Sequence, residues 1–469
     1  MRVNGGGTSR SARFHPGLLT SLTGRLALAL HYTQGLMRSM FHGPFSATKP
    51  VKLAFICGIL FVMATLSVRA TGDSVSKIAE DPLCAQALDW LGKNTDWVTA
   101  QQIRLTEIPA SENNETARGQ YLKQLLEANG LTVHVDDTGD VIGERPGSDP
   151  SGVILVAAHL DTVFPPGTDV HVKRAGTRLT APGISDNGAG LAAIAGVSRA
   201  LAESRIRTVK TIVFAGDVGE EGEGNLRGIR ALVEHYGSRL AAVIAVDGPS
   251  TEHITTQGIA SRRFEITVTG PGGHSWSDFG APNPITALSR AIVRFSAIRI
   301  PDNPRSSFNF GVIDGGTSVN SIPAKASVKV DLRSEDSAQL NRMETALREA
   351  IQTGVRDEMA ASRTFASENS LQVTFRSLGM RPAGALPENS PLLHTIRDVD
   401  RYLGNRSRLE RSSTDANVPL SLGIPAIALG GGGRGGGSHT LGEWYDPSGR
   451  ELGLKRLFLT VVALAGIQP

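Results

Sequence analysis

Val153-Ile154-Leu155-Val156-Ala157-Ala158-His159-Leu160-Asp161 is an apolar run that stops on an imidazole and then a carboxylate. Continuous apolarity without polar alternation is what a strand covered on both faces requires. Three further runs have the same character: Thr211 to Ala215, Ala242 to Val246 and Pro425 to Leu429. Between them lie Gly188 to Ser204 and Gly228 to Tyr236, which read as helices. Buried strands alternating with helices predict an α/β fold on a mostly parallel sheet. Residues 75–130 precede it as helix, with apolar residues at helical spacing in Ala85 to Leu91 and Gly119 to Ala128.

The middle of the chain changes period. Arg263 to Thr269 alternates polar and apolar, as a half-exposed strand does. A helix from about Pro284 to Ala297 follows, then strands near Ser307 to Ile313 and Ala326 to Leu332. A helix from Asp336 to about Thr353 and a strand near Leu371 to Phe375 complete the set. The order β-α-β-β-α-β predicts an inserted ferredoxin-like α+β unit. The α/β domain resumes with a helix near Pro391 to Leu403. The expected organisation is a leader over 1–70, a first catalytic part over 71–257, the insert over 258–376, and a second catalytic part over 377–469.

A chain of 469 residues with 40% hydrophobic and 20% charged residues is globular, and too long for one ordinary core. Its net charge of +3 is set by the N-terminus: residues 1–70 hold eight Lys or Arg and no acid. The remaining 40 basic residues face 45 acidic ones, so nothing in the charge points to nucleic acid. Leu53 to Val68 is apolar, follows Lys49 and Lys52, and ends in Val68-Arg69-Ala70. That pattern predicts a cleaved signal and an exported protein, periplasmic or extracellular. An uncleaved N-terminal membrane anchor is the alternative, although the run is short for a span of ~20 residues. A start at Met37 or Met40 would give a conventional leader. Beyond the leader only Cys84 remains, so no internal disulfide is available.

Ligands of an open α/β sheet bind outside the carboxyl ends of its strands. His159 and Asp247 each follow an apolar run directly, and Glu220 and Glu221 lie in the glycine-rich loop after a third. Asp186 stands where a helix begins, and His439 follows Gly430 to Gly437. That glycine run suits either a flexible surface loop or a backbone that approaches a ligand closely. Singly, such residues are ordinary: an Asp that caps a helix, a solvated acid pair, a turn at Asp247-Gly248. Together they form a set of imidazoles and carboxylates without thiolates, which suits catalytic zinc. Five ligands exceed one catalytic zinc site and suit two metals if Asp186 bridges them. Asp161, two residues from His159, can orient its imidazole.

These segments resemble the co-catalytic zinc metallopeptidases of family twenty, which include peptidase T-like tripeptidases, aminoacylases, glutamate carboxypeptidases and succinyl-diaminopimelate desuccinylase. The resemblance rests on AAHLDTVFP, APGISDNGAG, GDVGEEGEGNLRG, VDGPS, TGPGGHSW and GGGGRGGGSHTLGEW, spread over about residues 80–465. It implies that His159 and Asp247 hold one zinc, Glu221 and His439 the other, and that Asp186 bridges. Co2+ or Mn2+ are alternatives to the two Zn2+ per chain. Glu220 would be the general base and Asp161 the orienting partner of His159. In the insert, His274 would stabilise the oxyanion, and Asn320 and Arg333 would meet a substrate carboxylate. The resemblance also implies a homodimer through the insert.

The implied function is an exopeptidase on short peptides, tripeptidase-like, with an N-acyl amino acid amidase as the alternative. Asn187, where many relatives have a second acid, is similar to a cousin family of zinc aminopeptidases. Those lack the insert with its Gly-Gly-His-Ser. An inactive binding protein would be expected to lose ligands or base, and all are present here.

Overall fold

The computed structural model describes residues 75–363 and 370–468. The signal run Leu53 to Val68 and the alternative starts lie outside the described residues. The membrane anchor, and the anchored localisation with it, must be corrected: among the described residues no helix is long and apolar enough to cross a membrane.

The architecture is an α/β catalytic domain with a separate, smaller β-sheet region. Among the described residues the main sheet has nine strands. Its spatial order is Thr132–Val135, Val141–Arg145, Lys210–Asp217, Asp149–His159, Leu240–Val246, Ala426–Leu429, His253–Gly258 and Gly384–Ala385, with Arg408–Ser412 also paired to His253–Gly258. The four strands from Lys210–Asp217 to Ala426–Leu429 run parallel. They correspond to the four apolar runs of the sequence. Val153 to Ala158 are completely or almost completely buried. Burying one such Val, Leu or Ile side chain contributes about 1.5–3 kcal/mol.

The flanks differ from the expectation of a mostly parallel sheet. Val141–Arg145 is antiparallel to both its neighbours, and His253–Gly258 is antiparallel to Ala426–Leu429. The physical reason on the first flank is loop length. Only residues 136–140 join its two strands, and a connection that short permits a hairpin but no crossover. The side chain of Asp136 fixes the turn by accepting the N–H groups of Thr138, Gly139 and Asp140.

Parallel register decides where the chemistry can sit. His159 is opposite Asp217, and Leu429 is opposite Val246. The carboxyl ends of all four central strands therefore share one edge. The helix Gly188–Ser204 packs under that edge, with the Asn187 side chain accepting Gly190 N–H as its N-cap.

The second sheet has its own core, including Ile266, Val268, Leu288, Phe295, Val330 and Leu347. Its four antiparallel strands lie in the order Ser306–Gly315, Lys325–Ser334, Ala260–Thr269 and Gln372–Arg381. Helices Pro284–Ser296 and Ser337–Ala361 contribute to the same core. The second helix runs past the expected end near Thr353. Gly354 lies inside it, where a Cβ would press on the backbone of Ala287 and Ala291. The glycine lets the two helices touch. The last strand also runs past Phe375, to Arg381. The Asn417 amide donates to the carbonyls of Ile259 (2.9 Å) and Pro382 (2.8 Å). It thus ties together the two chain segments that lead into and out of this sheet.

The glycine run is not a loose surface loop, since Gly430 to Gly432 are buried. A Cβ on Gly430 would meet the Pro249–Ser250 backbone, and one on Gly432 the Arg450 carbonyl. The run packs against the protein's own backbone. Its next residues, Arg434–Gly436, pair with Trp444–Asp446.

Candidate metal centre

His159 ends the buried strand Asp149–His159 and is itself buried. Its Nδ1 lies 3.0 Å from the Asp161 carbonyl oxygen, a contact that requires the proton on Nδ1. Nε2 is buried and without a hydrogen-bond partner. Asp186 Oδ1 is 3.2 Å from it and Asp247 Oδ1 3.9 Å.

The other carboxylate oxygen of Asp186, Oδ2, is 3.4 Å from His439 Nε2, and Glu221 Oε1 is 2.9 Å from the same nitrogen. His439 has φ of 65°, in the left-handed region. A non-glycine residue there carries local strain of about 1–3 kcal/mol, a cost met chiefly at functional sites. Two compact groups result: His159 with Asp186 and Asp247, and Asp186 with Glu221 and His439. A third combines His159 with Glu220 and Glu221.

Asp161 makes contacts on two sides. Its carboxylate is 3.7 Å from the imidazole Nδ1, whereas it accepts the backbone N–H groups of Glu220 (3.0 Å) and Glu221 (2.8 Å). The main-chain carbonyl of Asp161 also contacts His159, and its carboxylate joins that imidazole to the turn carrying the two glutamates.

Two residues missed in the sequence complete the site. Arg381, at the end of the second sheet's last strand, reaches Glu220: Nη1 is 2.7 Å from Oε1, and Nη2 donates to the Glu220 carbonyl. Glu443, wholly buried, accepts the N–H groups of Gly183, Ser185 and Asp186. No local pattern signals the first, whose partner lies 161 residues away. For the second the available signal was Glu443 itself, an acid close behind His439.

The electrostatics favour positive charge between these acids. Hydrogen bonds from Asp186 and Glu221 push the His439 imidazole up to about 10. Burial pushes His159 down, but the carboxylates of Asp161, Asp186 and Asp247 outweigh it and hold it well above the usual range. Burial raises Glu220 well above the usual carboxylate range, against the pull of Arg381.

A cavity of about 480 Å³ opens over the cluster. Asp186, Glu220, Glu221, Asp247 and His439 form one wall, and Arg263, Arg333 and Arg381 of the second sheet line it too. Arg333 Nε is 2.6 Å from Asp331, and Arg263 Nε is 3.3 Å from the same carboxylate. His274 and Asn320 are brought together by the pairing of Gly273–His274 with Ser321–Ile322, but they do not line this cavity. Both are exposed, and Ser275 N–H donates to the Asn320 carbonyl.

The donor set fits divalent cations. It combines a buried imidazole nitrogen without a partner, a second imidazole, several carboxylates and no thiolate.

Comparison with known proteins agrees. The model of "Peptidase family M20/M25/M40" matches residues 155–462. "Uncharacterized protein YqjE" of Bacillus subtilis is 26% identical over 354 residues, covering 70% of this chain and 88% of that protein. "Putative succinyl-diaminopimelate desuccinylase DapE" of Mycobacterium tuberculosis is 25% identical, with 70% and 88% covered. The crystal structure of aminopeptidase PepT from Bacillus cereus superposes with a TM-score of 0.61 at 20% identity, over 80% of this chain and 99% of that one. That last likeness bears on the fold.

Proposed function

The chain belongs to peptidase family M20/M25/M40 and is a metal-dependent hydrolase, and from that premise we propose a dinuclear zinc exopeptidase that cleaves an amide bond of short peptides, with a tripeptidase-like preference. The observation that carries the reading is Asp186, which turns one carboxylate oxygen toward His159 and the other toward His439. His159 and Asp247 would hold one ion, Glu221 and His439 the other, and Asp186 would serve both. Two bound cations supply polarisation of the scissile carbonyl and a lowered pKa for water.

The remaining chemistry belongs to this chain's own side chains. Glu220 takes the proton from the attacking water and passes it to the leaving amine. The Arg381 pair sets the direction in which its carboxylate faces. Asp161 keeps Glu220 and Glu221 on one turn. Arg263 and Arg333 share the single carboxylate of Asp331, so this side of the cavity retains positive charge. A guanidinium grips a carboxylate with paired bonds, which supports a substrate with a free carboxylate. Residues 258–376 form the insert in this reading. Trp276, Phe279 and Val319, exposed in the same stretch of chain as His274 and Asn320, support pairing of two chains there.

The alternative, an N-acyl amino acid amidase, uses the same site. It is favoured by the arginine-lined wall and by the desuccinylase name of one relative.

Elemental analysis should find close to two divalent metals per chain. Protein without metal that fails to gain activity with zinc or cobalt would sink the mechanism. Glu220→Gln should retain metal and lose turnover by about 10²-fold or more. Hydrolysis of di- and tripeptides, free or blocked at either end, beside N-acyl amino acids decides between the two substrates.

A further inference from the structure

Glu443 belongs to none of the candidate ligand groups. Its Oε2 accepts Gly183 N–H at 2.9 Å, and its Oε1 accepts Ser185 N–H at 2.7 Å and Asp186 N–H at 2.8 Å. Its own carbonyl accepts Ala181 N–H at 3.1 Å. The contact joins segments 257 residues apart. One of them carries Asp186. The other is the short loop that also carries His439, four residues before Glu443. Burying a carboxylate is costly unless strong donors compensate. Here the donors are the peptides that hold Asp186 in place.

We propose that Glu443 is the positioning residue of the metal centre: it locks the Gly183–Asp186 turn to the His439 loop, so that Asp186 presents one oxygen to each histidine. The proposal rests on the dinuclear reading above. It pairs with the role of Asp161, whose carboxylate fixes the Glu220–Glu221 turn in the same manner. Between them, two carboxylates outside the ligand groups would hold the backbone of Asp186 and Glu221. Removing an outer partner of this kind lowers metal affinity by roughly 10–100-fold.

Glu443→Gln keeps the side-chain shape but replaces one acceptor oxygen with an NH2 group. Wherever that group points, it meets a backbone N–H donor to donor. The experiment is a zinc titration of chelator-stripped, full-length protein against a chromophoric chelator, with thermal unfolding of both stripped proteins alongside. The expected result is two equivalents bound by the unmodified chain and roughly 10–100-fold weaker zinc binding by Glu443→Gln. A variant that unfolds at lower temperature yet binds zinc as tightly as the unmodified chain overturns the proposal, because Glu443 is then a structural staple only. An unmodified chain that takes up no zinc overturns the dinuclear reading and the proposal with it, which is a distinct result. If Glu443→Gln does not fold, Glu443→Asp is read in the same way. It keeps the charge but is one methylene too short to span both sides of the turn.

Discussion

Arg381 and Glu220 form an ion pair with only 5% and 6% of their side chains exposed. Breaking such a pair from one side strands a charge in a poorly solvating interior. Arg381→Met should therefore cost about 3–5 kcal/mol of unfolding free energy in urea. The double variant Arg381→Met/Glu220→Gln should recover part of that loss, since no charge is then left alone. A single variant as stable as the unmodified chain would mean that the pair does not form in solution. At this scale, legibility depended on sequence separation. His159, Asp186, Glu221, Asp247 and His439 could be read because each follows a strand or opens a helix. Arg381 meets its partner 161 residues away, and no local pattern announces it. Asp161 was legible as a neighbour of His159. Its hydrogen bonds to the N–H groups of the distant Glu220–Glu221 turn were not, because nothing local links the two segments.

The element that explains most about the site is the glycine run before His439. Gly432 has φ of 94°, and a Cβ there would strike the Arg450 carbonyl. Gly432→Ala should lose about 1–3 kcal/mol of stability from the backbone conformation alone, measured as a lowered denaturation midpoint with an unchanged slope. An alanine variant of normal stability would show that the run has room to spare. Composition marked the run as special but could not say what approached it, because its neighbours are Ser250 and Arg450. The four central strands were the most legible elements, since burial on both faces leaves an unbroken apolar signature. Val141–Arg145 lacks that signature. It escaped notice because its apolar start, Val141-Ile142, is only two residues long and its far end, Glu144-Arg145, is polar.

Across the whole molecule, the candidate ligands come from both sides of residues 258–376: His159, Asp186, Glu221 and Asp247 before them, and His439 after. Strand Ala426–Leu429 must return between Leu240–Val246 and His253–Gly258 before His439 can take its place. A metal held by that set binds the folded chain and has no preformed site in the unfolded one. Binding at a concentration 100 times the dissociation constant then adds about 2.7 kcal/mol of stability. Chelator-stripped protein should unfold at lower denaturant than loaded protein, and zinc should restore the midpoint. The slope should stay constant, because the same surface is exposed in both cases. Because the second sheet has a separate core, its own unfolding should respond less to metal than that of the main sheet. Hydrogen exchange can separate the two responses: protection in Asp149–His159 and Leu240–Val246 should rise with zinc, with little change in Lys325–Ser334. Equal gains in both regions would mean that Asn417 and Arg381 couple the two cores into one cooperative unit.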